Sequence, residues 1–182
     1  MLLTPSVSTT GQVLPVTKPY TILVLCTGNS ARSIMAEALF NHFGHPWFHA
    51  VSAGSHPVGR VNPFALEQIA TLGVPEVTYR SKSWHEFNAD SGRDIDFVMT
   101  VCGNAAEEQC PVLNGHALRI HWGFPDPAAE KSSEQATRDA FSACFNTLKT
   151  RIEALMTLDL EIKNHQEIAQ LMAAQAGDNA SC

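Results

Sequence analysis

The sequence has no run approaching the roughly 18 consecutive apolar residues that a membrane helix needs. It also has no basic residue before Lys18 that could open a secretory leader. Neither membrane insertion nor export is expected, and the chain is read as cytoplasmic. Positive charge is scarce as well: 12 Lys and Arg stand against 18 Asp and Glu, a formal net charge of -6. No broad basic field exists to draw in nucleic acid or an anionic membrane, so any anion must be held by local geometry. Cysteines number five, an odd count that fits free or redox-active thiols better than a disulfide framework. Cys and His residues show no paired zinc-ligand spacing, and no metal is expected from them.

What is present suits one domain of 182 residues, 45% of them hydrophobic. Residues 1–18 are rich in Thr, Ser, Pro and Val without periodicity and read as a flexible arm. The domain is expected over 19–156, with a helical tail over 157–182. Thr21-Ile22-Leu23-Val24-Leu25 is an unbroken apolar run, the pattern of a strand buried on both faces. A helix follows from Ser33 to Phe43 and stops at Gly44. Phe48 to Ala53 reads as a second strand, Pro63 to Leu72 as a helix, Asp96 to Val101 and Leu118 to His121 as further strands. Ser132 and Gln135 form a capping-box pattern ahead of a long stripe from Phe141 to Leu155 that includes Cys144. Ile168, Leu171 and Met172 mark a last, weaker helix. Strands alternating with helices predict a three-layer, doubly wound α/β domain around a central parallel sheet, with its ligand site at the carboxyl ends of the strands. Cys26 and Cys102 both fall at such ends.

Between the first strand and its helix lies Cys26-Thr27-Gly28-Asn29-Ser30-Ala31-Arg32-Ser33. A short loop of small residues can turn its backbone N–H groups inward, and the helix behind it adds a positive end, so a tetrahedral oxyanion is held by amides and dipole together. Gly28 allows a left-handed backbone, and Asn29 tolerates one. The same field is expected to favour the Cys26 thiolate as nucleophile, with Ser33 donating to the sulfur, while Arg32 binds two oxygens in a planar fork.

This loop, followed by Met35-Ala36-Glu37-Ala38, resembles the low-molecular-weight tyrosine phosphatase superfamily and, within it, the arsenate reductase branch. The likeness extends through Val51-Ser52-Ala53-Gly54, Val101-Cys102 and His121-Trp122-Gly123-Phe124-Pro125-Asp126-Pro127. It implies that Asp126 is the proton donor to the departing oxygen. It implies also a thiol relay: Cys26 attacks arsenate, Cys102 attacks the Cys26 sulfur and frees arsenite, and Cys110 then takes over the disulfide. The partners implied are an arsenate or phosphate oxyanion and an external thiol reductant, with no bound cofactor. That reductant is thioredoxin, or glutathione with glutaredoxin. The Cys102 to Cys110 interval is one residue longer than in the thioredoxin-coupled pattern, which makes glutathione with glutaredoxin the other candidate. In some members a potassium ion lies behind the loop; Asn29, Glu37 and Ser52 match part of its shell. The rest of that shell falls near Ser81-Lys82-Ser83, where no carboxylate stands and a lysine can replace the cation, so no metal is assigned. The alternative activity is that of a phosphatase working through a Cys26 phospho-enzyme. It expects aromatic residues after the Asp-Pro pair, and here Ala128 and Ala129 follow.

Overall fold

In the computed structural model, which describes residues 18–74, 79–103, 116–161 and 163–177, the first strand β1 (Tyr20–Cys26) runs through the middle of the sheet. Ile22, Leu23, Val24 and Leu25 are all buried, which explains why the run is apolar without alternation: both its faces are covered. Parallel neighbours are β2 (Phe48–Gly54) on one side and β3 (Phe97–Thr100) on the other, and β4 (Leu118–His121) pairs with β3. The order β2-β1-β3-β4 makes a four-stranded, doubly wound α/β sheet. Chain direction across the sheet reverses between β1 and β3, so the segments leaving those two strands diverge and open a crevice at their carboxyl ends.

One face of the sheet carries the large core. There α1 (Arg32–Phe43) lies with α2 (Pro63–Ala70), α3 (Glu134–Met156) and α4 (His165–Ala174), burying Ile34, Leu39, Phe40, Phe141, Leu148 and Met172. The other face is closed by a smaller group, in which Leu23, Leu25 and Val98 meet Trp84 and Phe87 of a short 3₁₀ turn. Asn62 caps α2 by accepting from Phe64 N, with Pro63 at the first position.

Two expectations are corrected. The cap of α3 is Ser133, whose hydroxyl accepts from Ala136 N at 3.0 Å. Ser132 instead bonds the Glu130 carboxylate, so the capping-box reading was one residue early and its Gln135 bonds Asp139. The segment read as a trailing tail also shares the main core: Leu160, Ile168 and Met172 are buried, and the Trp122 indole donates to Met172 O at 2.7 Å. A capping box is present here, between Asn164 and Glu167. No described helix is long and apolar enough to cross a membrane.

Candidate active site

The crevice between β1 and β3 holds a cavity of about 830 Å³. Its wall includes Cys26, Thr27, Gly28, Ser30, Ala31 and Arg32 from the end of β1 and the first loop, Cys102 beyond β3, His121 at the end of β4, and Phe124 and Asp126 beyond it. Residues far apart in sequence meet because three parallel strands end at one edge. Asn29 and Ser33 stand behind this wall, both fully buried. Cys110 lies outside the described residues.

Loop curvature comes from Asn29, whose φ is 42°; Gly28, the other candidate, is not left-handed. Asn29 is suited to that region because its short side chain can bond locally, and here its N–H and both polar atoms of its side chain are used. Its N–H donates to the Cys26 sulfur at 3.1 Å, its amide nitrogen to Ser33 and Ser52 at 2.9 Å each, and its amide oxygen accepts from Lys82 N at 2.8 Å. Ser33 Oγ lies 2.9 Å from the sulfur. Since Ser33 already accepts from Asn29, its own hydrogen is free for Cys26. Behind the loop, Gly54 is required: a Cβ there would sit 2.5 Å from Thr27 O and 3.0 Å from Asn29. At the helix start, Ala31 provides no side-chain cap, which leaves the first N–H groups of α1 available to an anion.

The electrostatics differ from the expectation of a resting thiolate. Burial pushes the Cys26 thiol up from its ordinary range, and the Cys102 sulfur nearby adds to this. The Ser33 hydroxyl and the N–H groups of Asn29 and Ser33 pull the other way without cancelling it. Cys102 itself is buried, with Sγ 3.7 Å from Thr27 Oγ1. Arg32 is engaged: Nη1 donates to Phe124 O at 2.8 Å, and Nη2 lies 3.4 Å from Asp126 Oδ1. Asp126, the proton donor that the resemblance implies, stands at the cavity wall. Its side chain is 48% exposed, paired with Arg32, and accepts from Ala128 N at 3.3 Å in the turn Pro127–Ala129. One carboxylate thus closes an Asx turn and pairs with Arg32 on the wall of the cavity that also holds Cys26.

His121 was not among the site residues expected from the sequence. It lines the cavity, with Nδ1 2.8 Å from Thr100 Oγ1. Its position as the last residue of β4 was the signal, since the carboxyl edge of a doubly wound sheet is where ligands bind. Cys144 is buried among Phe141, Phe145 and Leu148, as its stripe predicted. Among the described residues no group of three or more His, Cys, Asp and Glu is placed to hold a metal ion.

A parallel sheet with a Cys-x5-Arg loop at its switch point, feeding an uncapped helix, defines a phosphatase-type oxyanion fold. The chain belongs to the low molecular weight phosphotyrosine protein phosphatase family, whose model matches residues 21–168. Among curated relatives, an arsenate reductase of Shouchella clausii is 35% identical over 132 residues, 72% of this chain and 91% of that protein. Arsenate reductase 1 of Staphylococcus epidermidis is 37% identical over 134 residues, 72% of this chain and 97% of that one. A solved arsenate reductase from Archaeoglobus fulgidus superposes with a TM-score of 0.53 at 30% identity, covering 72% of this chain and 98% of that one.

Proposed function

We propose that the protein is an arsenate reductase that converts arsenate to arsenite by a thiol relay starting at Cys26. The observation that carries the reading is that a second buried thiol, Cys102, shares one cavity with Cys26, Arg32 and Asp126. A phosphatase has use for one cysteine, whereas reducing arsenic from +5 to +3 takes two electrons, and two thiols supply them as they become a disulfide. The arsenate reductases among its relatives support the same activity.

The steps follow from the groups present. Arsenate enters the loop of residues 27–33 and replaces Asp126 on the outer nitrogen of Arg32. The raised Cys26 thiol passes its proton to the arriving dianion, so sulfur and arsenate reach the reactive charge state together. Asp126, displaced from Arg32 by the arriving anion and open to solvent, takes up a proton from water; sulfur attacks arsenic, and one oxygen leaves as water with that proton. Cys102 then attacks the Cys26 sulfur: the S–S bond forms, the S–As bond breaks, and its electron pair stays on arsenic, which departs as arsenite. Cys110 attacks Cys102 in turn, freeing the Cys26 thiol and leaving a Cys102–Cys110 disulfide for an external dithiol. Thioredoxin is the reductant we assign, with glutathione and glutaredoxin as the competing pair; both place the protein in a reducing compartment, the cytoplasm. Aryl phosphate hydrolysis is a slow side reaction, because Ala128 lines the cavity where an aromatic would grip a phenyl ring.

Steady-state arsenite release, driven once by thioredoxin with its reductase and once by glutathione with glutaredoxin, tests the proposal. Cys26→Ser and Cys102→Ser abolish turnover with either donor, and Cys110→Ser abolishes it with thioredoxin. Full turnover by Cys102→Ser, accompanied by fast aryl phosphate hydrolysis, would hand the site to the phosphatase reading.

A further inference from the structure

Behind the Cys26 loop, four residues close a ring, joined at Lys82 by its backbone N–H on one side and its ammonium on the other. Lys82 N–H donates to Asn29 Oδ1 at 2.8 Å, Asn29 Nδ2 donates to Ser52 Oγ at 2.9 Å, and Ser52 Oγ donates to Glu37 Oε2. The Lys82 ammonium completes it, 3.4 Å from the same Glu37 oxygen. Both charged side chains are withdrawn from water, Lys82 at 9% exposure and Glu37 at 15%. The segment is pinned to β2, since Gly54 N donates to Lys82 O at 2.9 Å. Asn29, Glu37 and Ser52 are the residues that match part of the potassium shell of some family members, although no metal was expected here. They do not fit a second cation here, because the ammonium already occupies the side of Glu37 that faces them.

Every donor in the ring has one direction. The Lys82 amide fixes which end of Asn29 is oxygen, so the Asn29 NH₂ must point at Ser52 and Ser33. Ser52 accepts from Asn29 and gives its own hydrogen to the Glu37 carboxylate. Ser33 likewise accepts from Asn29, which leaves its hydrogen for the Cys26 sulfur 2.9 Å away. A carboxylate buried behind a nucleophile would by itself oppose negative charge on the sulfur; a cation beside that carboxylate cancels this field.

We infer that Lys82 is a positioning residue for the Cys26 reaction: a tethered counter-ion to Glu37 that takes the place of an alkali cation and keeps Asn29 and Ser33 aimed at the sulfur. The inference rests on the reading of Cys26 as the nucleophile but not on arsenate as the substrate. Titratable and charged groups facing Cys26 are Cys102, Arg32, Asp126 and His121 from the cavity, and Glu37 and Lys82 from behind. Tyr79 is a further neighbour of Glu37: burial first and that carboxylate second hold its phenol above the ordinary range.

The test is the pH profile of Cys26 alkylation by iodoacetamide, followed by mass spectrometry of the Cys26 peptide, so that it reads the sulfur whether or not arsenate turns over. Lys82→Met leaves the carboxylate alone and moves the profile up by about one pH unit; Glu37→Gln leaves the ammonium alone and moves it down. Lys82→Met/Glu37→Gln returns it close to the parent. The parent profile is identical in sodium and potassium chloride at equal ionic strength. KM for arsenate rises severalfold in Lys82→Met, and Lys82→Arg retains most of the parent value. Should Lys82→Met fail to fold, the downward shift of Glu37→Gln and the near-parent double variant still decide the matter. Shifts of the same sign in the two single variants, a double variant no closer to the parent than Lys82→Met, or a potassium-dependent parent profile would each overturn the inference.

Discussion

At position 29 two demands meet on one residue. The backbone must turn left-handed at φ 42°, and the side chain must bond three partners behind the loop. Glycine meets only the first, and other side chains strain the backbone at a cost on the order of 1 kcal/mol. Asn29→Gly is therefore expected to fold and to keep the loop's path, yet to lose most of kcat, because Ser33 is no longer held toward the sulfur; arsenate turnover beside a melting curve checks this. Gly54 is the reverse case, a position where only a missing side chain fits. Gly54→Ala drives a methyl into Thr27 O and Asn29, and a loss of about 1–3 kcal/mol in urea unfolding is expected together with weakened oxyanion binding. The stretch from Cys26 to Ser33 was legible in the sequence because its chemistry is local: nucleophile, turn, arginine and helix start follow one another. The Arg32–Asp126 pair and the reach of His121 were not, since each joins residues that only strand pairing brings together; the Lys82–Glu37 contact was reached only through the family resemblance, not from local pattern. At Cys26 the hydrogen bonds that favour the thiolate were legible, whereas the opposing push of burial, which a sequence does not display, was not.

Among the elements, the strands were the most legible, because buried parallel strands announce themselves as continuous apolar runs. Leu118–His121 was read with its observed limits, and β1 ends at Cys26 as expected. Helix ends were less so. Adjacent serines both offered a plausible cap for α3, and what decided between them was Glu130, which engages Ser132 from outside the helix. Ser133→Ala is expected to lower stability by about 1 kcal/mol and Ser132→Ala by much less, measured by denaturant midpoints. α4 looked weak in isolation because only one side of it is apolar. That side lies on β4 and Trp122, where Met172 is fully buried and its carbonyl holds the indole. Met172→Ala is expected to cost about 2–5 kcal/mol, a drop large enough to show that this helix belongs to the folded unit.

For the whole molecule, alkaline pH is the condition that exposes its buried thiols. Burial pushes Cys144 up from 9.0 to about 12, and the same cause raises Cys26. A thiol with a raised value keeps its proton in the fold while the unfolded chain loses it. Its contribution is complete below pH 9 and drains away as the pH climbs toward 12. Stability is thus expected to fall across that window by an amount on the order of a few kcal/mol. In Cys144→Ala the fall is shallower, though the starting stability is lower, and circular dichroism melts at half-unit pH steps separate the two effects. The doubly wound sheet was legible at this scale, since strand and helix patterns alternate along the chain. Which segments share the core was not: residues beyond 157 read as an appendage because their few apolar positions reveal their target only once β4 and Trp122 are in place.

The central claim is that two thiols of this chain, Cys26 and Cys102, supply the electrons that turn arsenate into arsenite. A single turnover tests it most directly: the fully reduced protein is mixed with excess arsenate and no reductant, then arsenite is counted and the disulfides are mapped by mass spectrometry after acid quench. Cys110→Ser, which stops the relay after its second step, is expected to release one arsenite per chain and to retain a Cys26–Cys102 disulfide. Release of arsenite without that bond, or by a Cys26→Ser chain, would contradict the account.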